Sequence, residues 1–137
     1  MDRPSTPPTL IYDQDCGLCI ATAAWLARRV PRSRLDVVAI GEVEAQPTLA
    51  TTLHDLPLAA ALHFVRPDGS IRTGARAVLG AGLLVPRWRF VARALDHRVG
   101  HRLLEPVYRR IAANRRRIGR LLRLPAVCPM PARPGDR

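Results

Sequence analysis

Seven residues, Asp13-Gln14-Asp15-Cys16-Gly17-Leu18-Cys19, constrain the fold of this chain more than any other stretch. They follow a short apolar run, Leu10-Ile11-Tyr12, and lead into a segment that carries no charge until Arg28. That pattern reads as a strand, a tight turn and a helix. It sets two cysteines, spaced C-x-x-C, at or near a helix N-terminus. Unpaired backbone N–H groups and the positive end of the helix dipole favour a thiolate at the first. The second sulfur lies about one helical turn on, within reach of a mixed disulfide formed at the first.

The rest of the chain can be laid out from this point. Residues 1–9 read as a flexible, Pro-rich N-terminal tail, 10–124 as one domain, and 125–137 as a Pro-rich C-terminal tail. Gly17 to about Val30 is apolar nearly all round, which predicts a buried helix ended by Pro31. Leu35 to Ile40 reads as a second strand, parallel to the first, and Glu42 to His54 as a weaker helix interrupted at Pro47. Ala61 to Val65 predicts a third strand, turning at Pro67-Asp68-Gly69 into an antiparallel fourth at Ser70–Arg72. Thr73 is placed to cap a helix through Leu84. The spacing of Trp88, Val91, Ala92, Leu95 and Val99 predicts one amphipathic helix. After Pro106 a last helix carries Val107, Ile111, Ile118, Leu121 and Leu122 on one face. The order β-α-β, hairpin, helices is that of an α/β domain with a thioredoxin-like core and additional C-terminal helices.

Three readings compete for Cys16 and Cys19. Redox chemistry is favoured by their position after a strand, at a helix start. Two thiols buried as small hydrophobes are the plain alternative. Half a zinc site is the third, but Cys128, His54, His63, His97 and His101 offer no second paired knuckle. In the redox reading, by analogy with other dithiol enzymes, Cys16 is the exposed nucleophile and Cys19 the more buried resolving thiol. No metal or bound organic cofactor is required. The partners are a protein or small-molecule thiol or disulfide substrate and an external thiol system that regenerates the pair. Asp13 and Asp15 oppose a thiolate at Cys16, while the helix end favours one. A carboxylate could also carry the proton of Cys19. Asp15 fits better as the helix cap, and Asp13 fits either role.

Tyr12-Asp13-Gln14-Asp15-Cys16-Gly17-Leu18-Cys19 resembles the Asp-x-x-Cys-x-x-Cys signature of the DCC family of predicted thiol-disulfide oxidoreductases. His63-Phe64-Val65 with Asp68-Gly69, then Thr73 to Ala77, is similar to the family's hairpin and following helix. Val107 to Arg115 resembles its Tyr-x-x-Ile-x-x-Asn-Arg segment. The resemblance spans about residues 9 to 120 and implies a dithiol oxidoreductase. Tyr12, Gly17 and Asn114 are assigned to structural support of the site. Asn114 falls among apolar positions of the last helix, where a buried amide needs partners. A bond to a neighbouring loop carbonyl is favoured over bracing of the Asp13–Cys16 turn. Thioredoxins carry a cis-proline beside the disulfide; the matching position here falls near Ala61, and Pro57 lies four residues too early.

All 22 basic residues are Arg, against 11 acidic ones. Arg109, Arg116, Arg120 and Arg123 share one face of the last helix, with Arg110, Arg115 and Arg117 on its flanks. Such a run is ordinarily a solvated face, though it could engage an acidic protein, an anionic membrane surface or nucleic acid. A non-catalytic interaction module built on that helix is therefore the second functional reading. No helix-turn-helix, zinc finger or aromatic RNA platform accompanies it. The N-terminus lacks the layout of a signal peptide, which makes the cytoplasm the expected compartment. There a disulfide is more often catalytic than structural.

Overall fold

The computed structural model describes residues 6–124. Strand β1 (Thr9–Tyr12) is central. It pairs parallel with β2 (Asp36–Ala39) on one side, with Leu10 opposite Val37. On the other it pairs antiparallel with β3 (His63–Val65), which returns through a hairpin as β4 (Ile71–Thr73). The sheet order is β2-β1-β3-β4. Helix α1 (Gly17–Arg29) connects the parallel pair. Two short helices, α2 (Ile40–Val43) and α3 (Pro47–Leu53), follow β2, with Pro47 at the start of α3, where its missing N–H costs nothing. Helices α4 (Ala75–Gly82), α5 (Arg89–Leu95) and α6 (Arg98–Leu121) complete the domain.

Alternation along the strands builds two cores. Leu10 and Phe64 face α1 and α4, where they pack with Leu26, Val30, Ala77 and Ala81. Their neighbours Ile11 and Val65 face the other way, against Val43 and Leu53. The result is an α/β fold consistent with a thioredoxin-like unit followed by C-terminal helices.

Three local expectations are corrected. Helix α4 is not capped by Thr73. Its N-cap is Gly74, at φ 66°, and Glu105 of α6 accepts the Ala75 N–H at 3.3 Å instead. The expected helix from Trp88 to Val99 is broken. His97 caps α6 by accepting the Gly100 N–H on Nδ1 at 3.2 Å, and a Cβ at Gly100 would collide with the Leu95 carbonyl oxygen. Only glycine allows the chain to turn so tightly there. Finally, α6 begins eight residues before Pro106 and runs through it. Pro106 is exposed, so water can serve the carbonyl that the ring cannot bond.

The inward face of α6 also differs from the apolar face expected. Tyr108, Ala112, Arg115 and Gly119 follow one another at i, i+4, i+7 and i+11 and are at least half-buried. Val107, Ile111 and Leu121 are exposed.

Candidate functional site

The site lies where β1 ends. The chain leaves Tyr12, turns through Asp13–Asp15 and enters α1, with the Cys16 N–H donating to the Asp13 carbonyl at 3.3 Å. Tyr12 packs against the core beneath, and burial raises its phenol above the ordinary value. The turn is tied on two sides. Gln14 Oε1 accepts the Gly41 N–H at 3.1 Å, and Asp13 Oδ1 accepts the Asp15 N–H at 2.9 Å.

Cys16, rather than Asp15, is the N-cap of α1: its sulfur accepts the Cys19 N–H at 3.4 Å. Asp15 is exposed. Both cysteines are free thiols. Their exposures reverse the expected order. Cys16 is buried, at 1% exposure, whereas Cys19 is intermediate and opens onto an apolar groove. The thiol of Cys19 is pushed up to about 12. Burial is the largest cause, followed by its hydrogen bond to the Cys16 sulfur.

Arg115 completes the site. Its Nη2 lies 3.2 Å from Asp13 Oδ2 and also donates to the Ala59 carbonyl, while Nη1 points at the Cys19 sulfur at 4.0 Å. Both side chains of the ion pair are largely buried, at 16% and 11% exposure. The guanidinium charge pulls the Cys19 thiol down more strongly than the Asp13 charge pushes it up. Two turns earlier, the Tyr108 hydroxyl accepts the Leu62 N–H at 2.8 Å, and burial raises this phenol too. Arg115 and Tyr108 thus hold the loop before β3, including Ala61, against the dithiol turn. Every peptide bond among the described residues is trans.

Residues 10–121 match the family model described as DCC1-like thiol-disulfide oxidoreductase. The chain belongs to this family. No curated protein and no solved structure was matched. The DCC1-like assignment supports a redox enzyme acting on thiols or disulfides in general, and the match reaches across all the site residues named above.

Within this DCC1-like site, Asn114 does not take either expected role. Its Nδ2 donates to the Arg110 carbonyl of its own helix at 2.8 Å. The next residue, Arg115, is the one that braces the turn, although it lies on the flank of the basic face of its helix. Its signal was the Asn-Arg pair in the family-like segment. Gly17 meets Gly119 of α6 closely: a Cβ on Gly119 would lie 3.9 Å from the Gly17 Cα. Arg109, Arg116, Arg120 and Arg123 are exposed as expected. Cys128 lies outside the described residues. Among the described residues, no cluster of three or more His, Cys, Asp or Glu is placed to hold a metal ion, and no helix is long and apolar enough to cross a membrane.

Proposed function

We propose that the chain is a thiol-disulfide oxidoreductase in which Cys16 attacks and Cys19 resolves. The Cys16 thiolate forms a bond to one sulfur of the substrate disulfide, and the other sulfur leaves as a thiolate that takes a proton from water. Cys19 then gives up its proton, and its sulfur displaces the substrate from Cys16. A Cys16–Cys19 disulfide remains; the substrate has gained two electrons and the pair has lost two. An external thiol system returns them.

The observation that carries this order is the placement of Cys16 as the N-cap of α1, its sulfur accepting the Cys19 N–H at 3.4 Å, while burial and the neighbouring sulfur raise the Cys19 thiol. A raised thiol holds less thiolate at neutral pH, which suits Cys19 to the second step, and Cys16 stands at the helix N-terminus, where the dipole favours an anion. Asp13 and Arg115 act as a charge pair that sets the ease with which Cys19 releases its proton. Exposure favours the opposite order, with Cys19 first. Since Cys16 is 1% exposed, attack by it requires the 13–17 turn to shift as substrate engages.

Trapping distinguishes the two orders. With an excess of a peptide disulfide, Cys19→Ser should accumulate a mixed disulfide at Cys16, detected by mass spectrometry. Preferential accumulation at Cys19 in Cys16→Ser would reverse the assignment, and no adduct in either variant would reject the exchange mechanism.

A further inference from the structure

A trough leads away from Cys19 between α1, α4 and α6. Its first part is a cavity of about 390 Å³ walled by Leu18 and Thr22 of α1, Val78 and Leu79 of α4, and Val107 and Ile111 of α6. It shares Thr22, Leu62, Val78 and Leu79 with a second cavity of about 260 Å³, which continues to Trp25, Trp88 and Val91. Val78, Trp88, Val91, Val107 and Ile111 are between 43% and 55% exposed. This is a contiguous apolar surface, of a kind that marks a binding site.

The polar groups that border it are already engaged. The Thr22 hydroxyl donates to the Leu18 carbonyl at 2.9 Å. The Leu62 N–H donates to the Tyr108 hydroxyl, and the Leu62 carbonyl accepts the Gly74 N–H at 3.0 Å. Arg115 is taken by Asp13 and the Ala59 carbonyl. An extended peptide laid here would bury backbone groups with nothing to bond, and the nearest strand end offers it no free edge. A helix satisfies its own backbone and needs only an apolar face from the groove. From Leu18 to Trp25 the trough follows α1 for roughly 10 Å, or about two turns of an occupant. The charge of Arg115 is matched by Asp13 at the Cys19 end. An exposed cation stands at the other end, Arg29 stacked over the Trp25 ring at 4.2 Å, in a chain with 22 basic residues against 11 acidic ones.

We infer that the trough docks an amphipathic helical segment of a partner protein, with a cysteine on its apolar face and acidic residues on its outer face. This rests on the oxidoreductase reading for the chemistry, because the wall ends at the dithiol. The partner's cysteine, in a disulfide, lies against Cys19, which lines the trough. Cys16 reaches it through the shift of the 13–17 turn and forms the mixed disulfide, and Cys19 then releases the reduced segment. The substrate class is then a helical protein cysteine rather than a small charged disulfide.

The two tryptophans of the chain, Trp25 and Trp88, both line the trough and report on it directly. An 18-residue amphipathic peptide with acidic outer residues, its cysteine replaced by serine, should shift their fluorescence saturably. It should bind at least tenfold more tightly than the same peptide broken by a central proline. Val78→Asp or Ile111→Asp, both at exposed positions, should weaken binding about tenfold. Equal binding of the two peptides, or no spectral change, would overturn the docking. The disulfide form of the helical peptide should be reduced at least tenfold faster than that of the proline-broken peptide, which has the same leaving thiol, and each Asp variant should lower that ratio. A ratio near one would overturn the substrate class. Failure to reduce even 2,2′-dithiodipyridine would sink the oxidoreductase reading, while the fluorescence titration still decides the docking.

Discussion

Arg115 Nη2 lies 3.2 Å from Asp13 Oδ2, and the same guanidinium group reaches the Cys19 sulfur and the Ala59 carbonyl. One planar group with fixed donors thus joins the turn after β1, the first helix and the loop before β3. A lysine has the charge but not the fork, so it cannot hold all three partners at once.

Arg115→Gln should therefore do two separable things. It leaves the Asp13 carboxylate, largely buried, without its cation, and should cost about 2–3 kcal/mol, a figure below that of fully buried pairs because some solvent reaches this one. It also removes the charge that pulls the Cys19 thiol down, so that thiol should rise further. Arg115→Lys should restore part of the second effect and little of the first. Urea midpoints and the pH dependence of Cys19 alkylation measure the two. An Arg115→Gln protein with both unaltered would remove Arg115 from the site.

Stability should fall in alkali because of Cys19. Its folded value of about 12 exceeds the ordinary 9, so between these limits the folded chain holds a proton that the unfolded chain has lost. The unfolded state then binds fewer protons, and stability decreases as pH rises through that window. Below 9 the contribution is fully present. Cys19→Ser should flatten the decline in urea midpoint between pH 8.5 and 10.5 relative to the parent. Parallel slopes would contradict the raised thiol.

Tyr108→Phe tests the clamp on the loop before β3. The change keeps the ring and deletes the acceptor of the Leu62 N–H, at a residue that is 7% exposed. An unsatisfied buried donor costs about 1–3 kcal/mol. The urea midpoint should fall accordingly, and amide exchange at Leu62 should quicken more than at Leu10 in β1. Equal protection at Leu62 in both proteins would mean that the hydroxyl is not its acceptor.

The strand, turn and helix around the dithiol were legible because their signals are local. An apolar run ends at Asp13, a charge-free segment begins at Cys16, and the structure places β1 and α1 within a residue or so of both limits. The hairpin at Asp68-Gly69 was legible for the same reason. The last helix was not. Its packed stripe is Tyr108, Ala112, Arg115 and Gly119, a set with little hydrophobic signal, while the conspicuous Val107 and Ile111 line an open trough. Successive helical residues point about 100° apart, so the brace falls to Arg115, one position from Asn114, for which the sequence favours a loop-carbonyl bond over that role. The burial of Cys16 was also beyond the spacing of the motif. It follows from the Gln14–Gly41 and Asp13–Arg115 contacts that hold the turn down, both made with segments distant in sequence.

Gly119 gives the sharpest test of how α6 positions Arg115. It is buried against the start of α1, and a Cβ built on it would meet the Leu18 nitrogen at 3.7 Å and the Gly17 Cα at 3.9 Å. Those are ordinary van der Waals separations, so alanine fits without movement. Gly119→Ala should then raise stability by up to about 1 kcal/mol through helix propensity alone. A leucine cannot fit, because its γ and δ carbons would enter the backbone of Gly17 and Leu18. Gly119→Leu must push α6 away from α1 and carry Arg115, one turn earlier, off Asp13. The expected signature is a lower urea midpoint together with the raised Cys19 thiol that marks Arg115→Gln. In the double variant Gly119→Leu, Arg115→Gln, the second change should add little, since the contact it removes is already broken. Full additivity of the two losses would show that the helix contact at Gly119 and the charge pair at Arg115 are independent.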